Sequence, residues 1–333
     1  MPTTVVVGGF FGDEGKGKII SYLSLKDIPA IAVRGGVGPN AGHTFVLNGE
    51  VHKVRMLPSA VLSKETRLMI GAGVLIDPQI LLGEIEKYDA HDRLFIDGQC
   101  GVIERNHIER DQGQELKGRI GTTGAGTGPA NADRVMRTLH LARDFKELSL
   151  YLDDVSNAIN FALDRNEKVL VEGTQGTFLS LYHGTYPYVT SKDVTASAIC
   201  ADVGLGPKRV DQVILVFKAY VTRVGAGPLE NELSKEEAQK RGWFEVATVT
   251  GRERRAAPFN FELARKAIAL NSATQLAITK LDVMYPECAH VREYHRLSDS
   301  AKAFIEQVEK NTKVPVTLIG TGEDVYDTID RRS

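Results

Sequence analysis

At 333 residues, 42% hydrophobic and 25% charged, the chain has the composition of a soluble globular protein able to bury one extensive core. A net charge of -2 excludes a global field that would recruit nucleic acid or an anionic membrane, so the expected partners are small molecules. Cys100, Cys200 and Cys288 suit neither a disulfide framework nor zinc spacing, and no run of about 18 apolar residues reads as a membrane span; the expected compartment is the cytoplasm.

The first predicted strand, residues 5–7, leads into GGFFGDEGKGKII at 8–20 and then a helix. Glycines around Lys16 at a strand-to-helix turn suit a phosphate cradle, where backbone N–H groups and the helix N-terminus face the anion. The hydroxyl that usually follows the lysine is missing, Gly17 standing in its place, and Asp13 and Glu14 sit inside the loop. A carboxylate about 4 Å from a phosphate charge is repelled by roughly 4 kcal/mol at an effective dielectric of about 20, so a cation must intervene. Mg²⁺ binds one or two carboxylates together with phosphates, and Asp13 could replace the hydroxyl as its ligand. The plain alternative is a glycine turn whose acids stabilise the helix N-terminus.

Further strands are predicted at 30–33, 68–70, 169–171, 213–217, 276–278 and 316–319, several apolar throughout, as in a parallel sheet covered on both faces. Helical patterns lie at 144–163, 259–270 and 298–311. The expected fold is therefore α/β: a single domain over residues 1–333, built around a large, mostly parallel twisted sheet with helices on both faces. Ligands in such sheets gather beyond the carboxyl ends of the strands. Four segments fall there, 8–18, 172–175, 279–282 and 320–322, and are expected to converge on one rim.

Other segments each admit a functional and an ordinary interpretation. VGPNAGHTF at 37–45 offers His43 as a donor to a transferring phosphoryl group, or as a half-buried loop histidine. IGTTGAGTGPAN at 120–131 suits a second phosphate or a surface loop. TGRERR at 250–255 clusters three guanidiniums for carboxylates, or is a solvated charge run. Asp282 could accept the N1–H and amino hydrogens of guanine while Lys280 lies along the purine, favouring GTP over ATP, or the two form a surface pair. The glycines of 320–322 could close around the base or simply turn the chain. Taken together, these segments suggest a nucleotide donor, a phosphorylated acceptor and a small acidic co-substrate.

In this order, GDEGKGK at 12–18, NAGHT at 40–44, IGTTG at 120–124, EGTQG at 172–176, HGTYPYVTS at 183–191, TRVGAGP at 222–228 and TKLD at 279–282 resemble the adenylosuccinate synthetase family, in its short form, from residue 5 to about residue 331. The resemblance implies a P-loop-like GTP-binding rim and a GTP-dependent ligation of IMP and L-aspartate through 6-phosphoryl-IMP, with Mg²⁺ as cofactor. It implies Asp13 as catalytic base and His43 as general acid, assisted by Lys16 and Gln175, and Asp13 and the Gly42 carbonyl as metal ligands. The implied GTP contacts are Gly12, Glu14, Gly15, Lys16, Gly17, Gly42, His43, Thr44, Lys280, Asp282, Gly320, Thr321 and Gly322. Asp13, Asn40, Thr122, Thr123, Gln175 and Thr190 are the implied IMP contacts, joined by Arg137 reaching across a homodimer. Thr250, Arg252 and Arg254 are implied for aspartate.

Several residues depart from the family pattern. Phe10-Phe11 replaces Gln-Trp, Leu229-Glu-Asn231 replaces Phe-Pro-Thr, Gly320 replaces serine, and Glu253 interrupts a run of arginines, which is expected to weaken aspartate binding or shift ribose contacts. The alternatives are a GTP-binding, catalytically weak paralogue, or a synthetase acting on a guanine deoxynucleotide. Asp13 argues against the second, since the related viral branch has serine there.

Overall fold

The structure, a computed structural model, describes residues 2–113, 120–246 and 251–332. Its main sheet has ten strands: β1 (Thr3–Gly8), β2 (Ile31–Arg34), β3 (Arg67–Ile70), β4 (Leu94–Asp97), β5 (Leu152–Asp153), β6 (Val169–Glu172), β7 (Gln212–Lys218), β8 (Gln275–Thr279), β9 (Val316–Gly320) and β10 (Thr328–Asp330). They lie in the order β10-β9-β8-β7-β1-β6-β2-β3-β4-β5, and every neighbouring pair is parallel except β9 with β10. Continuous apolar runs follow from burial on both sides. Val5 and Val7 join one core and Val6 the other, and the same alternation splits Leu215 and Phe217 from Ile214 and Val216.

Helices cover both faces, as expected. Lys16–Asp27 and Pro78–Tyr88 pack on the Val6 side; Val155–Asp164, Ala196–Val203, Phe261–Asn271 and Asp299–Thr312 pack on the other. Among the described residues no helix is long and apolar enough to cross a membrane.

The helix predicted over 144–163 needs correction. Ala142–Asp144 and Lys146–Tyr151 form 3-10 turns, Leu152–Asp153 becomes edge strand β5, and an α-helix begins only at Val155. The break lies at Asp153-Asp154: the Asp154 carboxylate accepts the Asn157 N–H at 2.9 Å and caps a new helix. Leu148 and Tyr151 are buried by the turns instead, beside the β4 edge.

Several elements had no counterpart among the predicted ones, β4, β10 and the helices Pro78–Tyr88, Thr127–Met136 and Ala196–Val203 among them. A hairpin pairs His43–Leu47 with Glu50–Val54 through Asn48 and Gly49, both at positive φ, the geometry a tight hairpin turn requires. An antiparallel sheet joins Glu245–Val246, Glu253–Ala257 and Val221–Val224.

Candidate active site

The loop after β1 owes its shape to its own acids. Glu14 is 1% exposed; its Oε1 accepts the Phe10 and Gly12 N–H groups at 3.0 and 2.8 Å, and its Oε2 accepts Lys16 Nζ at 2.8 Å. Lys16 also donates to the Gln175 carbonyl, fastening the loop to the segment after β6. Glu14 and Lys16 thus cancel each other's charge within the loop. Asp13, at φ 60°, turns the opposite way and meets Arg254 Nε at 3.0 Å, its side chain 35% exposed. Gly12 and Gly15 also hold positive φ, which few residues other than glycine adopt, and the helix starts at Lys16 with no side chain capping its first amides among the described residues. The missing hydroxyl has a steric cause as well. A Cβ on Gly17 would stand 2.8 Å from that of His43, so the helix can approach His43 only with glycine there.

His43 opens the first hairpin strand and is 8% exposed. Its Nδ1 contacts the Glu172 carboxylate and lies 2.9 Å from Ser59 Oγ. Burial holds the imidazole below its ordinary pKa despite the pull of Glu172. The chain before His43 is pinned from several sides: Gly36 N–H donates to Asp202 at 2.8 Å, Val37 N–H to Thr174 Oγ1 at 3.1 Å, and Arg55 Nε to the Pro39 carbonyl at 2.9 Å. Asn40 Nδ2 consequently faces Thr190 Oγ1 at 3.4 Å, bringing two of the implied IMP contacts together.

The far end of the rim is tied by Lys18, which donates to the Gly322 and Asp327 carbonyls at 2.7 Å each and is lowered to about 8 by burial. Thr279 Oγ1 donates to the Glu14 carbonyl at 2.7 Å. Lys280 adopts φ 58° and starts the short helix Leu281–Met284, on which Asp282 Oδ1 is buried without a hydrogen-bond partner among the described residues. Such an orphaned acceptor suits a ligand that brings donors. Thr321 is buried, its hydroxyl donating to the Val291 carbonyl at 2.6 Å and its N–H to the Asp327 carbonyl at 2.9 Å, so it shapes this end from within. Gly320 ends β9.

Opposite, Arg254 bridges Asp13 and Glu245, and Glu245 in turn accepts Lys218 Nζ and Tyr220 O–H. Burial would raise the Glu245 carboxyl, but the Lys218 and Arg254 cations outweigh it and hold it at about 2. Arg252 donates to the Gly121 carbonyl at 2.7 Å and so touches the 120–126 loop. In that loop Thr122 Oγ1 donates to buried Asp111 at 2.7 Å, and both Thr122 and Thr123 line the cavity. Strand alternation settles the position of Glu253. Arg252 and Arg254 line the cavity, while Glu253 pairs with Lys235 on the exposed face. Its charge therefore lies outside the pocket, contrary to the expected disturbance there. Phe10 packs on Phe217 and Phe259, and Phe11 lies under the Arg223 guanidinium at 4.5 Å. Lys18 and Arg223 stand inside the quoted segments 12–18 and 222–228 without an assigned role, and Lys218 and Glu245 are site-forming residues outside every motif; for Lys218, a lysine closing an apolar strand was the available signal.

These segments enclose one cavity of about 650 Å³. Asp13, His43, Thr44, Gln175, Thr190 and Lys280 line it with the loop glycines Gly12, Gly15, Gly17 and Gly42. Glu14, Gly320 and Thr321 do not, Asp282 lines an adjoining recess with Gly322, and Arg137 lies exposed at the end of helix Thr127–Met136 beside exposed Val135 and Met136. Thr250 lies outside the described residues. Asp13 and Gly42 offer one carboxylate and one carbonyl, an oxygen-only pair that suits Mg²⁺ completed by phosphates and water. Among the described residues no cluster of three or more His, Cys, Asp or Glu could hold a metal by itself.

The doubly covered parallel sheet, with four loops meeting at its carboxyl rim around one cavity, defines an α/β enzyme of the nucleotide-binding type. The adenylosuccinate synthetase family model matches residues 5–148 and 138–287. The chain is 57% identical to adenylosuccinate synthetase from Methanocaldococcus jannaschii, covering 99% of this chain and 97% of that one, and 54% identical to that from Pyrococcus horikoshii, covering 100% and 99%. Its structure is similar to fully ligated adenylosuccinate synthetase from Plasmodium falciparum, with a TM-score of 0.92, 26% identity and 99% coverage of each chain. It is also similar to cyanophage S-2L succinoaminodeoxyadenylate synthetase bound to dGMP and dATP, with a TM-score of 0.82, 26% identity and coverage of 100% and 96%. The chain belongs to the adenylosuccinate synthetase family of ligases.

Proposed function

We propose that the protein joins IMP to L-aspartate with GTP as phosphoryl donor, forming adenylosuccinate, GDP and phosphate. The supporting observation is that Asp13, His43 and Gln175 line one cavity whose far end carries Lys280 and opens to the orphaned Asp282 carboxylate. In the first step Asp13 takes the N1 proton of IMP, the C6 oxygen bonds to the γ-phosphorus, and the bond to the β-phosphate oxygen breaks to release GDP. In the second, the aspartate amine bonds to C6 as the C6–O bond breaks, and the proton shed by the nitrogen leaves with the expelled phosphate. An oxo group leaves poorly, so phosphorylation comes first. Loose phosphoryl transfer then needs positioning and charge stabilisation more than covalent catalysis.

Mg²⁺, held by Asp13 and the Gly42 carbonyl, would neutralise the gathered phosphates. Lys16, neutralised by Glu14, steadies the cradle while loop amides and the helix N-terminus meet the phosphates. Asn40, Thr123 and Thr190 bind the IMP phosphate and Gln175 orients the C6 side of the base. Arg252 and Arg254 take the aspartate carboxylates, Arg254 exchanging its contact with Asp13 for the co-substrate. Purified protein given IMP, GTP, Mg²⁺ and aspartate should show the adenylosuccinate absorbance change and phosphate release in equal amounts. Product from dGMP but not IMP would overturn the acceptor assignment.

Two predictions belong to this reading. Asp282→Asn keeps the shape but presents a donor to guanine N1–H, and is expected to cut the preference for GTP over ATP by about 10²-fold or more. Full discrimination in that variant, measured as the ratio of kcat/KM values, would remove the role. The second concerns a homodimer in which Arg137 serves the neighbouring cavity, an assignment suited to its exposure away from its own cavity. Asp13→Asn and Arg137→Ala proteins, each inactive alone, should regain about a quarter of wild-type activity after subunit exchange, since half the dimers are mixed and each has one intact site. No recovery despite confirmed exchange would argue for self-contained sites.

A further inference from the structure

Glu172 is a charge that the proposed reaction does not use. It ends β6 in register with Arg34 at the end of β2, and both residues are 0% exposed. A buried carboxylate beside a buried guanidinium is costly unless each lone pair and proton finds a partner. Here the Glu172 Oε2 accepts the Ser59 N–H at 2.7 Å, while Oε1 accepts the Ser59 hydroxyl at 2.8 Å and contacts His43 Nδ1. Arg34 does not bond to Glu172. It donates instead to the Leu57 carbonyl at 3.2 Å and to the Ala41 carbonyl at 3.0 Å, two residues before His43. One buried framework therefore holds both the ring and the peptide that delivers it.

The chemistry of the carboxylate fixes the ring's proton. An ionised carboxylate only accepts hydrogen bonds, so its histidine partner atom must carry the hydrogen. Burial would raise the Glu172 carboxyl, yet its neighbours His43, Arg34 and Ser59 hold it below the usual range, consistent with the ionised form. Nδ1 is thereby occupied, and Nε2 has no hydrogen bond among the described residues on a ring that lines the cavity. We infer that Glu172 is a positioning residue for the proposed phosphoryl transfer: anchored by Ser59 and flanked by Arg34, it fixes His43 with hydrogen on Nδ1 and turns Nε2 to the cavity, where the neutral ring accepts and only the imidazolium, its charge offset by Glu172, can donate. The inference rests on the proposed reaction for its catalytic consequence, and on the contact geometry with an ionised Glu172 for the tautomer.

Nitrogen-15 NMR of histidine-labelled full-length protein reads the tautomer, with the His43 signal assigned by its loss in His43→Asn. The expected spectrum has hydrogen on Nδ1 in the wild type and a mixture of tautomers in Glu172→Gln, whose amide offers a donor as well as an acceptor. Turnover of Glu172→Gln should fall about 10- to 100-fold in kcat while KM for GTP and IMP changes less than about threefold, the pattern of a lost orienting contact. A wild-type ring with hydrogen on Nε2 and none on Nδ1 overturns the inference, and so does a folded Glu172→Gln enzyme with wild-type kcat. Should that variant not fold, the wild-type spectrum decides the matter by itself. The spectrum needs no turnover, so a wild-type protein inactive with IMP, GTP, Mg²⁺ and aspartate would overturn the reaction assignment alone.

Discussion

Asp13→Asn is expected to lower kcat by about 10³-fold while GTP affinity measured without Mg²⁺ stays within about threefold of wild type. Removing a general base typically costs 10²- to 10⁴-fold, and each decade corresponds to about 1.4 kcal/mol of transition-state stabilisation. The substitution isolates chemistry from structure. Asp13 sits at φ 60°, a region asparagine also enters readily, so the loop can keep its path. The side chain is partly exposed and supports nothing in the core, its one ion pair being with Arg254. Backbone amides of the loop and of the first helical turn are unchanged, and they carry the phosphate contacts. Steady-state kinetics with IMP beside calorimetric titration with GTP separates the two quantities. Turnover near the wild-type rate would remove Asp13 from the reaction; loss of both turnover and GTP affinity would make it a loop-forming residue instead.

Much of this arrangement was legible in the sequence, for physical reasons that can be named. A strand buried on both faces must be largely apolar, so β1, β6, β8 and β9 stood out, and the glycine-rich or charged segment following each marked the rim. β5 was not legible because it contributes two residues at the sheet edge, and the turns at 146–151 bury Leu148 and Tyr151 at a spacing that also suits a helix. The direction of each charged side chain was also hidden. Asp13 and Glu14 are neighbours of the same sign, yet backbone dihedrals send one to the cavity and the other to its own loop's N–H groups. The alternation that takes Glu253 out of the pocket needed a strand at Glu253–Ala257, which the charge run RERR concealed. Arg34 read as an ordinary residue at a strand end, and Glu172, though it opens the 172–175 rim segment, had no role until register placed the two side by side.

Glu14→Ala is expected to destabilise the protein by about 3–5 kcal/mol, the usual consequence of breaking a buried ion pair from one side. Three donors lose their acceptor together: the Phe10 and Gly12 N–H groups and the Lys16 ammonium, whose side chain is 3% exposed and keeps only the Gln175 carbonyl. Denaturant unfolding followed by circular dichroism measures the loss, and a change under about 1 kcal/mol would mean that the loop is held from outside, by Thr279 and the β6 end. The double variant Glu14→Ala/Lys16→Met discriminates further. With the cation gone as well, most of the penalty should disappear, since a buried pair replaced by apolar groups is often nearly neutral, and only the two backbone donors remain unpaired. If the double variant recovers stability but binds GTP no better than the single one, Lys16 matters for the nucleotide beyond its bond to Glu14. If it recovers both, the pair serves only to shape the cradle, and phosphate recognition belongs to the amides, the helix terminus and the ion at Asp13.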